Sequence, residues 1–191
     1  MSRIDVLQKL VASLYNSDHP GRADWADWLY DNHVLVVAKE AERLAKKYDA
    51  NSELAVAASL LHDIADATMK REDPNHATES LAIARRLMAE SGFSEAEIAL
   101  TVDDAIRFHS CHGDERPHSL EGKILATADS FAHLKTDFYI FATNQLGMTV
   151  DEIKNWTLKK IERDITTKCF FEDERNVLTP DYTLIKELFS R

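Results

Sequence analysis

An adjacent histidine and aspartate, His62 and Asp63, lie inside an apolar segment that has the composition of a buried helix. The segment over residues 55–67 reads AVAASLLHDIADA. A buried carboxylate without a positive partner costs several kcal/mol, so Asp63 needs a cation. The residues one helical turn away are a serine, a leucine, an aspartate and an alanine, so the same helix offers none. The partner of Asp63 must therefore be a distant basic side chain or a metal ion.

A second aspartate, Asp129, repeats this pattern. It lies in the apolar segment 124–132, and no lysine or arginine stands one turn away from it. His33 adds a third polar group at a core position, because it shares the inward face of its predicted helix with Leu29 and Val36. Polar side chains on the core faces of separate helices can converge on one point.

The residue types in this set are those of a metal site. Neutral imidazole and carboxylate together suit borderline-to-hard divalent ions. The expected cofactor is therefore a divalent metal ion, and Mn, Fe, Ni, Zn, Co and Mg all fit these ligands.

The composition predicts one all-α domain. A chain of 191 residues is long enough for one sizeable core and short for two domains. It contains only 5 Gly and 4 Pro, and Ala, Leu, Glu and Lys dominate, which favours helices. We predict a single-domain helical bundle over residues 1–191. Its metal-bearing core covers about 24–134, and a C-terminal helical extension covers about 149–191.

The charge and the cysteines limit the partners and the compartment. A net charge of −10 argues against a nucleic-acid polymer or an anionic membrane as partner. It leaves room for a small phosphorylated substrate, because a bound metal dominates the local field. The 2 cysteines form no recognisable framework, and no apolar run reaches roughly 18 residues. We therefore expect a cytoplasmic protein without a membrane anchor.

Helix-start signals mark most of the predicted boundaries. Ser2 and Ser119 are placed to cap the first helix and the helix of Asp129. Ser94 and Thr149 each precede a glutamate by three residues, which is the capping-box pattern. Gly92 is a suitable residue just beyond a helix end. The polar segments 69–75 and 111–118 are predicted as loops.

The C-terminal part is predicted less fully. Thr179-Pro180 is expected to start a last short helix, and the segment 170–178 is expected to separate it from the metal-bearing core. The extension either caps the core or forms a dimer contact, so a homodimer is one possible assembly.

A histidine, a later His-Asp pair and a final aspartate on separate helices make up the signature of a known family. With His33, His62-Asp63 and Asp129 in this order, the chain resembles the HD superfamily of metal-dependent phosphohydrolases. The resemblance covers about 24–134, which is most of the chain. It implies an all-α fold of the HD-domain type in which these four residues bind a divalent ion.

The resemblance extends to members that hold two ions with two additional histidines. His76, at the head of a predicted helix, and His109, on the inward stripe of the next, occupy the matching places. One or two ions per chain are then expected, and His112 is the alternative to His109. Otherwise His76 would face solvent and His109 would be an ordinary core histidine. The metal ligands implied are His33, His62, Asp63, His76, His109 and Asp129.

The resemblance assigns catalytic roles to two carboxylates. Asp63 is implied as a metal ligand that also orients the nucleophile. Asp66 stands where related nucleotidases have an acidic residue that positions water or moves a proton. Such general acid–base catalysis typically contributes about 10²–10⁴-fold. The alternative for Asp66 is a solvated aspartate at a helix end.

Phosphate recognition needs basic residues near the metal. The lysine that usually follows the family's His-Asp-Ile-Gly run is absent, since Ala65-Asp66 stands there, and this disfavours a cyclic-dinucleotide phosphodiesterase. The best-placed substrate-binding candidates lie in or just after the loop that follows His109: His112, Arg116 and Lys123. The other basic candidates are Lys70 and Arg107.

The function expected from these features is a divalent-metal-dependent phosphohydrolase. Its substrate would be a small phosphate ester, with a nucleotide or nucleoside polyphosphate favoured. Two alternatives remain at this point. One is a di-iron oxygenase of the inositol-oxygenase type, which shares the six-ligand set, and the other is a non-catalytic nucleotide-binding or sensing protein with a structural metal.

Overall fold

The computed structural model describes residues 2–145 and 147–191, which form helices joined by turns with no strand among them. The all-α prediction is confirmed. None of the helices in these ranges has the length and hydropathy needed to cross a membrane. In chain order the α-helices are α1 (Arg3–Tyr15), α2 (Ala26–Leu29), α3 (Leu35–Lys47), α4 (Ser52–Leu61), α5 (His76–Glu90), α6 (Glu95–Ile98), α7 (Leu120–Lys135), α8 (Phe138–Gln145), α9 (Val150–Arg163) and α10 (Glu172–Phe189).

Several helices continue into turns of different pitch. π-helical segments join α2 to α3 (Tyr30–Val34), extend α6 (Ala99–Ile106) and extend α9 (Asp164–Lys168). A 3-10 turn, Ile64–Ala67, follows α4. π-helical turns change the direction of the side chains that follow and often occur at functional sites. Each of these segments carries, or leads directly to, a polar residue of the site described below.

The predicted caps are present. Ser2, Ser94 and Thr149 each form a complete capping box with the residue three positions later. The Ser119 hydroxyl accepts a hydrogen bond from the Gly122 amide at the start of α7. These hydrogen bonds satisfy amide groups that a helix leaves unpaired at its first turn, and they fix where each helix begins.

The main core is built around α3, α4 and α7, which pack on one another. α7 is buried around most of its circumference, because its sequence is apolar or small on nearly every face. α1 packs against α4 and α5 beside this group. This packing brings the helical segment that carries His33 close to the end of α4 and to the middle of α7.

The C-terminal helices form a second apolar cluster against the end of α7. Leu134 of α7 packs with residues of α8, α9 and α10 in this cluster. α10 also contacts α7 directly. The C-terminal extension therefore lies on the core beside Asp129. The other buried residues of the cluster are Phe138, Tyr139, Ala142, Ile161, Ile165, Cys169 and Leu178.

The predicted start of the last helix is wrong. α10 begins at Glu172, so Pro180 lies inside the helix and the segment 170–178 does not separate it from the core. Contacts with the core hold the earlier turns in place, since Leu178 is fully buried and the buried Glu174 pairs with Arg43. These contacts outweigh the loss of one helical hydrogen bond at the proline.

Two further differences concern the site region. α4 ends at Leu61, so His62 and Asp63 lie at a helix end rather than in the middle of a helix. α8 was not predicted, and it lies between α7 and α9 beside the second apolar cluster. The helix end leaves the Asp63 backbone free for other contacts, and its carbonyl accepts a hydrogen bond of 2.8 Å from the Tyr15 hydroxyl.

Candidate metal centre and its cavity

Three of the predicted metal ligands lie together in the buried centre of the molecule. His33 is placed by the π-helical turn before α3, His62 is the residue after α4, and Asp129 is in the middle of α7. Because α3, α4 and α7 pack on one another, these three side chains meet. The Nε2 atoms of His33 and His62 are 3.1 Å apart, and His33 Nε2 is 3.2 Å from Asp129 Oδ1.

The donor atoms of this cluster suit a divalent cation. One ligand atom from each of the three residues lies within 4.8 Å of the other two. Asp129 Oδ1 is buried without a hydrogen-bond donor among the described residues. A cation between the three side chains would satisfy that oxygen and both imidazole nitrogens.

The orientation of two histidine rings supports the same assignment. His62 Nδ1 lies 2.7 Å from the Ser59 carbonyl, and His109 Nδ1 lies 2.6 Å from the Ile106 carbonyl. Each Nδ1–H therefore donates to a backbone oxygen, which leaves the lone pair on Nε2. Metal-binding histidines are commonly held in this way by a backbone carbonyl. The rings of His62 and His109 are close, with centroids 5.3 Å apart.

Asp63 has a protein cation as its partner. Arg71 donates to both carboxylate oxygens, with Nη1–Oδ1 at 2.9 Å and Nη2–Oδ2 at 2.8 Å. Asp63 Oδ2 also lies 3.7 Å from His62 Nε2. Burial alone would raise the pKa of Asp63, but the neighbouring Arg71 guanidinium outweighs it and holds that pKa well below its usual value. Asp63 is thus ionised beside the His33–His62–Asp129 cluster.

Asp66 is fully buried, so it is not a solvated aspartate. Oδ2 accepts a short hydrogen bond from Arg71. Oδ1 lies 3.2 Å from His76 Nε2 and 3.4 Å from Trp25 Nε1. His76 is also buried, at the first position of α5, and does not face solvent. Asp66 thus contacts both Arg71 and His76. The catalytic role of Asp66 and the role of His76 as a metal ligand stay predictions.

Asp129 also has a protein cation, although its own helix offers none. Lys168 of the π-helical segment Asp164–Lys168 is 1% exposed and donates a short hydrogen bond to Asp129 Oδ2. Lys168 Nζ is 3.6 Å from Asp164 Oδ1. Burial alone would lower the pKa of Lys168, but the charges of Asp129 and Asp164 raise it above its usual value. Asp129 is therefore held between the histidines and a buried ammonium group.

His133 contacts both Asp129 and Asp164. His133 Nε2 is 3.2 Å from Asp129 Oδ1, and His133 Nδ1 is 3.1 Å from Asp164 Oδ2. The Tyr139 hydroxyl donates to Asp164 Oδ2 at 2.6 Å. The His133 ring stacks on the His33 ring, and both Nε2 atoms lie beside the same oxygen of Asp129.

The cluster opens onto two neighbouring cavities of about 510 and 500 Å³. Both are lined by Asp63, Arg71, His109, Ser110 and His112. Asp129 and the C-terminal helices line the first, and His62 and α5 line the second. The cavities therefore give access to the carboxylates from this side.

The predicted substrate-binding residues are placed differently. His112 lines both cavities, is exposed, and accepts a hydrogen bond of 3.0 Å from Arg163 Nη1. Arg116 donates to the backbone carbonyls of its own loop, at Cys111, Gly113 and Glu115. Neither Arg116 nor Lys123 is among the described residues that line these two cavities. The substrate-binding roles of all three stay predictions.

Sequence reasoning did not identify Arg71 and Lys168. Arg71 lies in the predicted loop 69–75, eight residues after Asp63, and no helical spacing connects the two. Lys168 lies between Ile165 and Cys169-Phe170, in a setting that predicts burial, and a buried lysine needs an acidic partner. The apolar setting of Lys168 therefore indicated a buried ion pair, but it did not identify Asp129 as the partner.

The buried histidines predict a pH-dependent stability. Burial lowers the pKa of His109 to about 4 and that of His133 to about 3, against 6.5 in an unfolded chain. Below about pH 6.5 the unfolded state then binds more protons than the folded state. The stability contribution is complete above that pH and is lost as the pH falls. We expect the free energy of unfolding of the metal-free protein, from urea denaturation, to decrease steadily from about pH 7 to about pH 4.

Two variants test the cause of that slope. His133→Gln should make it shallower, whereas His19→Gln, at an exposed histidine, should leave it unchanged. A slope that is the same in wild type, His133→Gln and His19→Gln would contradict the assignment.

Comparisons with known proteins agree with this geometry. The family model described as HD domain matches residues 30–134, a range that contains His33, His62, Asp63 and Asp129. The crystal structure of a predicted HD superfamily hydrolase from an uncultured Thermotogales bacterium is similar, with a TM-score of 0.63 and 21% sequence identity. The match covers 100% of this chain and 91% of that chain, and at this identity it shows a shared fold. No curated protein matches the chain.

Proposed function

The chain belongs to the HD domain family of metal-dependent phosphohydrolases, and from this membership we propose that it hydrolyses a small phosphate ester with a divalent metal ion. The proposed substrate is a nucleotide or a nucleoside polyphosphate. The observation that carries the proposal is the buried cluster of His33, His62 and Asp129, which opens onto a cavity with Asp63 on its wall. A cavity of about 510 Å³ is in the range that holds a nucleotide-sized ligand.

Four residues are proposed to hold the ion: His33, His62, Asp63 and Asp129. A bound divalent ion lowers the pKa of its water and polarises a phosphoryl oxygen. The depressed pKa of Asp63 and Asp129 keeps both carboxylates ionised at neutral pH, as a ligand must be. The lowered pKa of His33 keeps its imidazole neutral, which is the form that binds metal.

Arg71 is proposed to bind the phosphoryl group. Its guanidinium lines both cavities and presents a planar set of donors beside Asp63. Arginine binds phosphate oxygens in bidentate geometry. Asp66 accepts from Arg71 Nη2 and also contacts His76, so it is suited to position both groups. Asp63 and His109 line both cavities and would be the proton acceptors in hydrolysis.

The same contacts weigh against the di-iron oxygenase. A second ion would need Asp63 and His76 as ligands in the six-residue set. In this structure Arg71 Nη2 donates to both Asp63 and Asp66, and His76 Nε2 lies 3.2 Å from Asp66 Oδ1. A guanidinium beside both carboxylates supplies the positive charge that a second ion would supply. This distribution of charge favours one ion over the two that the oxygenase needs.

A nucleotide panel tests the proposed function. Protein loaded separately with Mn, Fe, Ni, Zn, Co and Mg is assayed for phosphate or pyrophosphate release from nucleoside mono-, di- and triphosphates. We expect turnover with at least one ion, and none with His62→Ala, which lacks a proposed ligand. Rates equal to those of His62→Ala across the whole panel would contradict the proposal. Oxygen consumption during turnover would instead indicate the oxygenase.

A further inference from the structure

Three basic side chains of α9 line the wall of the 510 Å³ cavity: Lys159, Lys160 and Arg163. Lys168, which contacts Asp129, lines the same cavity. The chain as a whole is acidic, with 33 Asp and Glu against 23 Lys and Arg. A concentration of positive charge at this one wall is therefore a local feature and does not reflect the overall composition.

None of these three residues has a close ion pair in the described part of the chain, and Asp164 acts on Lys160 only at longer range. Among the described residues, no carboxylate oxygen lies within 4.0 Å of the charged nitrogens of Lys159, Lys160 or Arg163. Lys159 and Arg163 lie four residues apart on one helix, and like charges at that spacing destabilise it. The cluster therefore costs stability unless an anion lies against it.

Arg163 has an unsatisfied donor in this wall. Its Nε is buried without a hydrogen-bond acceptor among the described residues, and Nη1 contacts the His112 ring. A buried N–H without an acceptor costs about 1–3 kcal/mol. Arg163 therefore has an N–H donor without an acceptor, which an anion beside it would satisfy.

Lys160 is held over an aromatic ring beside Arg163. Its Nζ lies 5.3 Å from the centroid of the Phe138 ring. Burial and the neighbouring cations lower the pKa of Lys160 to about 8, even though Asp164 acts in the opposite direction. At neutral pH Lys160 is still protonated, and an anion in the cavity would stabilise its charge.

We propose that Lys159, Lys160 and Arg163 form a binding subsite for the part of an oligophosphate chain that extends beyond the phosphoryl group at the metal centre. This inference rests on the proposed function and narrows it. A phosphate monoester would meet the metal centre and Arg71 and would leave the α9 cations without a partner. The substrate class is therefore a nucleoside di- or triphosphate.

The subsite is tested by binding of inorganic probes to the full-length protein. Magnesium tripolyphosphate and orthophosphate are titrated separately by calorimetry into wild type, Lys160→Gln and Arg163→Gln. One charged hydrogen bond lost corresponds to a change of about tenfold or more. We expect tripolyphosphate to bind wild type at least about tenfold more tightly than orthophosphate, and each variant to weaken tripolyphosphate by about tenfold. Orthophosphate affinity should change less than about twofold.

Control variants separate charge loss in the subsite from general effects. Lys154→Gln removes the same charge from α9, at a side chain that donates to the Arg191 carbonyl, and should bind like wild type. Arg163→Lys should retain more tripolyphosphate affinity than Arg163→Gln, because it keeps the charge. Equal tripolyphosphate affinity in wild type, Lys160→Gln, Arg163→Gln and Lys154→Gln would overturn the subsite.

The subsite and the proposed function can fail separately. Tripolyphosphate binding that depends on Lys160 and Arg163, in a protein that hydrolyses no phosphate ester, would support the subsite and contradict the hydrolase. Metal-dependent hydrolysis of nucleoside monophosphates with kcat/KM unchanged in Lys160→Gln and Arg163→Gln, together with unchanged tripolyphosphate binding, would support the hydrolase and overturn the subsite.

Discussion

Replacing Lys168 with methionine is expected to destabilise the metal-free protein by about 3–5 kcal/mol. Lys168 is buried and pairs with Asp129, and Asp164 lies 3.6 Å from its Nζ. Methionine keeps the apolar stem and removes the charge, so a buried carboxylate loses its cation. The free energy of unfolding is measured by urea denaturation at neutral pH in the presence of a chelator.

The same variant should respond strongly to metal. A divalent ion at His33, His62 and Asp129 would replace the missing positive charge, so added Mn²⁺ should restore more stability to Lys168→Met than it adds to wild type. The double variant Lys168→Met/Asp129→Asn is the matched control, because it removes both charges and should be insensitive to Mn²⁺. A loss below about 1 kcal/mol in Lys168→Met, with no response to metal, would contradict the buried pair.

Replacing Arg71 with alanine is expected to change the metal stoichiometry and to reduce turnover. Without the guanidinium, the carboxylates of Asp63 and Asp66 lie together beside His76, with no cation to neutralise them. These are ligands for a second divalent ion. We expect about two ions per chain in Arg71→Ala against about one in wild type, measured by elemental analysis. We also expect kcat to fall by about 10²–10³-fold, the cost of losing a donor to the transition state.

Arg71→Lys is the control that separates the effect of the positive charge from the effect of the guanidinium's hydrogen-bond geometry. Lysine retains one positive charge but cannot form the two parallel hydrogen bonds to Asp63. It should keep the single-ion stoichiometry and still lose part of the turnover. One ion per chain in all three proteins, with unchanged kcat in Arg71→Ala, would contradict the role assigned to Arg71.

The main elements of the fold could be predicted because their signals are local. Capping residues such as Ser94 and Thr149 mark helix starts within a few residues of sequence, and both are capping boxes in the structure. The inward register of His33 and the apolar settings of Asp63 and Asp129 likewise follow from helical periodicity. These signals placed His33 and Asp129 in the core, where packing of the helices brings them together, whereas Asp63 lies half-buried at a helix end.

The features that could not be predicted depend on distant contacts. Arg71 and Lys168 reach the aspartates from a loop and from a π-helical segment, and no spacing rule links either to its partner. The start of α10 is decided by the pairing of Glu174 with Arg43, residues 131 positions apart. The π-helical turns differ from α-helix by single inserted residues, which a period of about 3.6 does not reveal.

Metal content is the measurement that tests the HD-type centre most directly. The protein is purified without a chelator or a nickel column, and bound metal is measured by elemental analysis in wild type, His62→Ala and Asp129→Ala. We expect about one equivalent of a divalent ion in wild type and none above background in the two variants. No metal above background in wild type, with no gain in thermal stability when Mn²⁺ or Fe²⁺ is added, would contradict the metal centre and with it the hydrolase.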